Sequence, residues 1–130
     1  YRSPDEVNAI RWENLSEPDH GKTIEYYRGL IAFRKAHKEL RLGYQKEVVT
    51  SVQTIPHRNS QVVIYRVLGD EQDILLIFNA GCDEVNVNLP TGNWNVRIQD
   101  DIAGTEILES KEESIIVAPI SATVLVQTKA

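Results

Sequence analysis

The chain has 130 residues, a formal net charge of −5 and 42% hydrophobic residues, long enough to bury roughly two-thirds of its unfolded surface without disulfides or metals. Acids and bases are interspersed with no basic stripe, which argues against nucleic acid as a partner, and no run approaches the ~18 apolar residues of a membrane span. Cys82 is the single cysteine, so there is no internal disulfide, and no Cys/His pairs stand at zinc-ligand spacing.

Residues 1–22 carry Pro4 and Pro18 among mostly polar neighbours, and Val7, Ile10, Trp12 and Leu15 are spaced too raggedly for a helix. A loop with at most one short helical turn is expected. A loop of this length on a compact domain points to a function or to membership of a larger body. The sequence holds no methionine and opens on Tyr1-Arg2-Ser3-Pro4. It therefore reads as a piece of a longer protein, and localisation stays unassigned because any signal would lie upstream.

Thr23 to Leu42 is the one long stretch of helical periodicity. In helical projection Glu25, Arg28, Lys35 and Glu39 share a charged face. Ile24, Tyr26, Tyr27, Leu30, Ile31, Phe33 and Leu40 fill an apolar arc over more than half the circumference. That is wider than the ~100° stripe of a surface helix, so contact on two sides is expected. Asp19 or Thr23 is the candidate N-cap and Gly43 the stop. Arg34 falls inside the arc, where it must snorkel to solvent or pair with a carboxylate outside the helix; the expectation is a structural residue at a domain seam. His37 lies in the same arc and reads as a hydrogen-bonded packing residue.

Tyr44 to Thr54 fits a short helix or a strand equally well. Beyond Gln61 the period changes to two. Val62–Leu68 and Ile74–Phe78 are apolar on both faces, as central strands are. Val85, Val87 and Leu89 alternate with asparagines, and Trp94, Val96 and Ile98 alternate with polar residues, which places all three on one inward face. Ile115–Val117, Thr123–Val126 and a short Ile107-Leu108 strand complete the set. Gly69-Asp70, Asn79-Ala80-Gly81, Pro90-Thr91-Gly92-Asn93, Gly104 and Pro119 punctuate them. Six to eight short strands at this spacing predict a mainly β fold, an antiparallel sandwich with Greek-key connections.

Candidate chemistry is sparse. Glycoside hydrolysis needs two carboxylates opposed across a sugar, whereas Asp5-Glu6, Asp100-Asp101 and Glu112-Glu113 are adjacent pairs in expected turns and read as solvated acids. A calcium site at Asp100-Asp101 lacks spaced oxygen ligands. His20, His37 and His57 are scattered, and Cys82 has no helix start or cation beside it to activate it. Trp94 reads as core, with a sugar-stacking platform as the alternative. No catalytic residue, metal site or cofactor site is assigned.

The head and helix, Tyr1-Arg2-Ser3-Pro4-Asp5-Glu6-Val7-Asn8-Ala9-Ile10-Arg11-Trp12 followed by Tyr26-Tyr27-Arg28-Gly29-Leu30-Ile31-Ala32-Phe33-Arg34-Lys35-Ala36-His37, resemble the end of the catalytic barrel in type I pullulanases. These belong to the α-amylase superfamily and hydrolyse α-1,6 branch points in pullulan and starch. Ile77-Phe78-Asn79, Gly92-Asn93-Trp94 and Val117-Ala118-Pro119-Ile120-Ser121-Ala122 look like the C-terminal β-sandwich that follows that barrel. The resemblance implies that residues 1–42 are the loop and last helix of a (β/α)8 barrel and 43–130 the C-terminal sandwich. Asp5 and Asn8 would then lie near bound α-glucan, hydrogen-bonding sugar hydroxyls, with the catalytic acids on strands absent here. Arg34 would be structural, calcium possible in the parent, and the rest of the barrel the partner.

Two functions follow from these residues. One is a non-catalytic C-terminal part of a debranching enzyme, whose helix in isolation should fold back on the sandwich, self-associate or stay partly exposed. The other is an independent starch-binding module, which requires a row of exposed aromatics.

Overall fold

The computed structural model describes residues 2–129. Three α-helices come first: α1 (Asp5–Asn8), α2 (Pro18–Ala36) and α3 (Gln45–Ser51), with 3₁₀ turns at Trp12–Ser16 and Lys38–Arg41. Nine strands follow: β1 (Val52–Ile55), β2 (Val62–Leu68), β3 (Gln72–Asn79), β4 (Val85–Asn88), β5 (Trp94–Gln99), β6 (Ile102–Ala103), β7 (Glu109–Lys111), β8 (Ser114–Val117) and β9 (Ser121–Thr128). All pairings are antiparallel. The main sheet has seven strands in the order β1-β2-β3-β9-β5-β6, with β7 also on β5, and β4 and β8 form a separate pair.

The molecule has three layers, and the period of two in the strands explains why. On one face of the main sheet Val62, Ile64, Leu75, Ile77, Trp94, Val96 and Leu125 meet Val87, Ile115 and Val117 of the β4–β8 pair. On the other, Val67, Ile74, Val124 and Val126 meet Phe33 of α2. The central strands are apolar on both sides because each side carries its own layer. Trp94 is completely buried, and its indole Nε1 donates to the Pro90 carbonyl at 2.7 Å, so the ring's one polar atom is satisfied.

Several local expectations change. Pro18 occupies the first helical turn of α2, where its missing N–H costs nothing, so the helix starts there and not at Thr23; neither Asp19 nor Thr23 caps it. It stops at Ala36, because His37 is extended (φ −112°, ψ 101°), well short of Gly43. Residues 44–54 are both alternatives in succession, α3 and then β1. Ile107 and Leu108 precede their strand and are exposed. Residues 5–16 hold two short helical pieces where a loop with one turn was expected.

The largest change concerns Ile98. The register of β5 against β9 shifts between Val96 and Ile98, a bulge that places one extra residue on β5 and inverts the facing beyond it. Ile98 therefore joins the cluster under α2, while Trp94 and Val96 face the β4–β8 pair.

Candidate interface

Seating α2 on the sheet uses only half of its apolar arc. Tyr26, Leu30 and Phe33 pack against Val67, Ile74, Ile98, Val124 and Val126. Gly29 lets the backbones touch, since a Cβ there would overlap the Ala103 carbonyl oxygen. Three side chains at ~1.5–3 kcal/mol each make this seam worth on the order of 5 kcal/mol before chain entropy. His37 closes it: the residue is buried, its Nδ1 lies 2.7 Å from the Phe33 carbonyl oxygen, and its ring centroid stands 4.0 Å from that of Phe33.

The other half of the arc faces outward, with Tyr27 61% and Ile31 54% exposed. The segment before α2 adds Val7, Ile10, Trp12 and Leu15, all exposed, and neither α1 nor the 3₁₀ turn at Trp12–Ser16 buries a residue. Single exposed apolar side chains are ordinary; six large ones are exposed among residues 2–31, and eleven more among residues 44–120.

Asp5 and Asn8 lie one turn apart in α1, both exposed. The Asn8 amide Nδ2 donates to the Ser3 carbonyl at 2.8 Å, and among the described residues its side chain has no hydrogen bond to Asp5 or to another acid. Arg34 is exposed and donates through Nη1 to the Leu40 carbonyl at 2.7 Å. It takes the solvent-directed course and pairs with no carboxylate among the described residues, because the 3₁₀ turn after α2 brings a free carbonyl within reach first. Asp100-Asp101 and Glu112-Glu113 are exposed, and among the described residues no three of His, Cys, Asp and Glu converge as metal ligands do.

Two buried acids lie where the 3₁₀ turn meets the β2–β3 hairpin. Asp73 is 1% exposed and receives Arg66 Nη2 at 2.6 Å, Arg66 Nε at 3.0 Å, Lys129 Nζ at 2.9 Å and the Gly69 N–H at 3.2 Å. Burial pushes its carboxyl up, but the hydrogen bonds from Lys129, Arg66 and Gly69 outweigh it and hold the group below the usual carboxylate range. Glu39, placed by helical projection on the charged face, is instead 5% exposed. The end of α2 at Ala36 rotates the following turn and carries Glu39 inward, where its Oε2 accepts from Gln72 Nε2 at 3.1 Å. Sequence reasoning missed it because the projection assumes a continuous helix.

Compared with known folds, the chain superimposes on a pullulanase from Bacillus acidopullulyticus with a TM-score of 0.89 at 20% identity, over 98% of this chain and 16% of that one. A type I pullulanase from Bacillus subtilis str. 168, solved with maltose, gives 0.80 at 22% identity over 98% and 18%. The fold is that of a segment of a type I pullulanase. A wider likeness extends to an α-amylase from H. orenii, at a TM-score of 0.52 and 21% identity over 81% of this chain. No protein-family model matches the chain. It spans under one-fifth of the length of these two pullulanases, so the pullulanase-type fold described here is one section of theirs, comprising the helical edge together with the strands.

Proposed function

We propose that this chain is the C-terminal, non-catalytic part of a pullulanase-type debranching enzyme that hydrolyses α-1,6-glucosidic linkages in starch and pullulan. In this reading residues 1–42 are the loop and last helix of a (β/α)8 barrel, and residues 43–130 are a Greek-key β-sandwich that covers and stabilises that barrel. The insertion of β9 between β3 and β5, with β4 and β8 in the second layer, supports the Greek-key description. The observation that carries the function is the divided apolar arc of α2, seated on the sheet through Phe33 and open at Tyr27 and Ile31. A helix with two apolar sides belongs between two bodies, and among the described residues it packs against one. Asp5 and Asn8 then sit beside bound glucan as hydrogen-bonding residues, and Arg34 acts as a structural residue at the seam.

The test is complementation in two pieces. Residues 1–130 and the polypeptide encoded upstream of Tyr1 are expressed as separate chains. The expected result is a stable complex that hydrolyses pullulan, neither piece doing so alone, and a complex dissociated by the double change Tyr27→Asp and Ile31→Asp. Hydrolysis by the 130-residue chain unaided, or two pieces that never associate, would overturn the proposal.

A second reading, an independent starch-binding module, has one observation in its favour. Tyr65 and Phe78 are 38% and 40% exposed and share the outer face of the β2–β3 pair. Trp94, the other aromatic considered for stacking, is buried. Retention of the chain on insoluble starch, abolished by Tyr65→Ala, would select this reading.

A further inference from the structure

Asp73 and Glu39 are neighbours with opposite circumstances. The Gly69 N–H donates to Asp73 Oδ1, and a Cβ on that same glycine would meet Glu39 Oε1 at 2.9 Å. Asp73 has two cations; Glu39 has one neutral amide, Gln72. The cations nearby are engaged elsewhere: Lys38 lies 3.8 Å from Asp70, Arg41 donates to the Lys35 carbonyl, and Arg34 to that of Leu40. Among the described residues no cation stands within ion-pair distance of Glu39, although buried carboxylates are ordinarily paired.

Glu39 also lines a cavity of about 320 Å³ on the outer face of the main sheet. Its other walls are apolar: Leu42 after the 3₁₀ turn, Val48 of α3, Val52, Val67 and Leu76 of the sheet, and the ring of Tyr65. Aliphatic walls with a single acid suit one kind of occupant, a hydrocarbon stem that ends in a cation. A plain hydrophobe would leave Glu39 unpaired. A metal ion would lack further ligands, and a sugar would find too few polar partners for its hydroxyls.

We propose that this groove receives the side chain of a lysine or arginine from an adjoining polypeptide, its methylenes against the aliphatic walls and its terminal nitrogen on Glu39. The source of that side chain, the remainder of a larger protein, rests on the function proposed above; the chemistry of the groove does not.

The test is a methyl-region NMR titration of the 130-residue chain with Nα-acetyl-arginine amide and Nα-acetyl-lysine amide, with Nα-acetyl-norleucine amide as the uncharged control. Saturable shifts are expected in the methyls of Leu42, Val52 and Leu76, with the norleucine compound binding about fivefold or more weakly. Glu39→Gln should erase that preference, and if this variant does not fold, the comparison of the three amides on the native chain decides. Absence of saturable shifts with the basic amides, equal binding of norleucine, or shifts away from the groove would each overturn the proposal. Failure of the two-piece complementation with the titration intact would count against the larger-protein reading alone.

Discussion

The strands and the helical head answer to different rules. In the strands, Ile74, Leu75, Ile77, Trp94, Val96, Val117 and Leu125 are fully buried, each held between two layers. Among residues 2–36 Phe33 alone is buried, and Trp12 is 68% exposed. Within the described residues, the inward-facing apolar residues of the strands are buried, whereas the head keeps Val7, Ile10, Trp12, Leu15, Tyr27 and Ile31 exposed. The difference teaches where burial, and with it most of the stability, is concentrated: on the strand side of the seam of α2 with the sheet, since burial rather than helix content supplies stability.

The comparison can be broken most forcefully at the buried Trp94. Trp94→Ala should cost about 3–5 kcal/mol in chemical denaturation, the range for emptying a packed aromatic site. A cost below about 1 kcal/mol would show that the sandwich core is not the stable unit. At the seam, Phe33→Ala should cost about 3 kcal/mol. Hydrogen exchange should then show α2 amides losing protection while β3 and β9 retain theirs; uniform loss would mean that the head and the strands unfold together.

The buried acid gives a smaller and pH-dependent effect. Asp73 has a folded pKa below its unfolded value, so its contribution is present above the unfolded carboxylate range, about pH 4, and is lost as pH falls through the depressed folded value. Stability should fall below about pH 4 with a slope from this group of at most ~1.4 kcal/mol per pH unit. Asp73→Asn should remove that part of the slope, and an unchanged acid limb in the variant would show that Arg66 and Lys129 contribute nothing through it. The smallest effect is expected at Trp12→Ala, within about 0.5 kcal/mol, because the ring touches mostly water. A large loss there would mean that the head is covered within the isolated chain.

Much of the fold was readable because strands sort residues by parity. The two-faced apolar character of Val62–Leu68 and Ile74–Phe78 marked them as central strands, and both lie inside the main sheet with a layer on each face. Ile98 shows where this fails: parity assigned it to the face of Trp94, and the bulge moved it to the other. Nothing in Trp94-Asn95-Val96-Arg97-Ile98 marks an extra residue, because a bulge answers the geometry of the partner strand. The helix boundary failed similarly at Glu39, whose burial follows from a turn change after Ala36 and not from its own chemistry. For the candidate interface, the width of the apolar arc was legible, but the division of that arc was not.

The sequence by itself determined the one long helix, the strand-rich remainder with its turns, the surplus of apolar surface on the helix, and the likeness to a pullulanase segment. Only the tertiary structure decided which half of that surplus is used, which sheet face receives Ile98, and which acids are buried with cations and which without. The physical reason is that periodicity records how polar each direction around an element is, whereas contact depends on what lies in that direction, and that is supplied by residues far away along the chain.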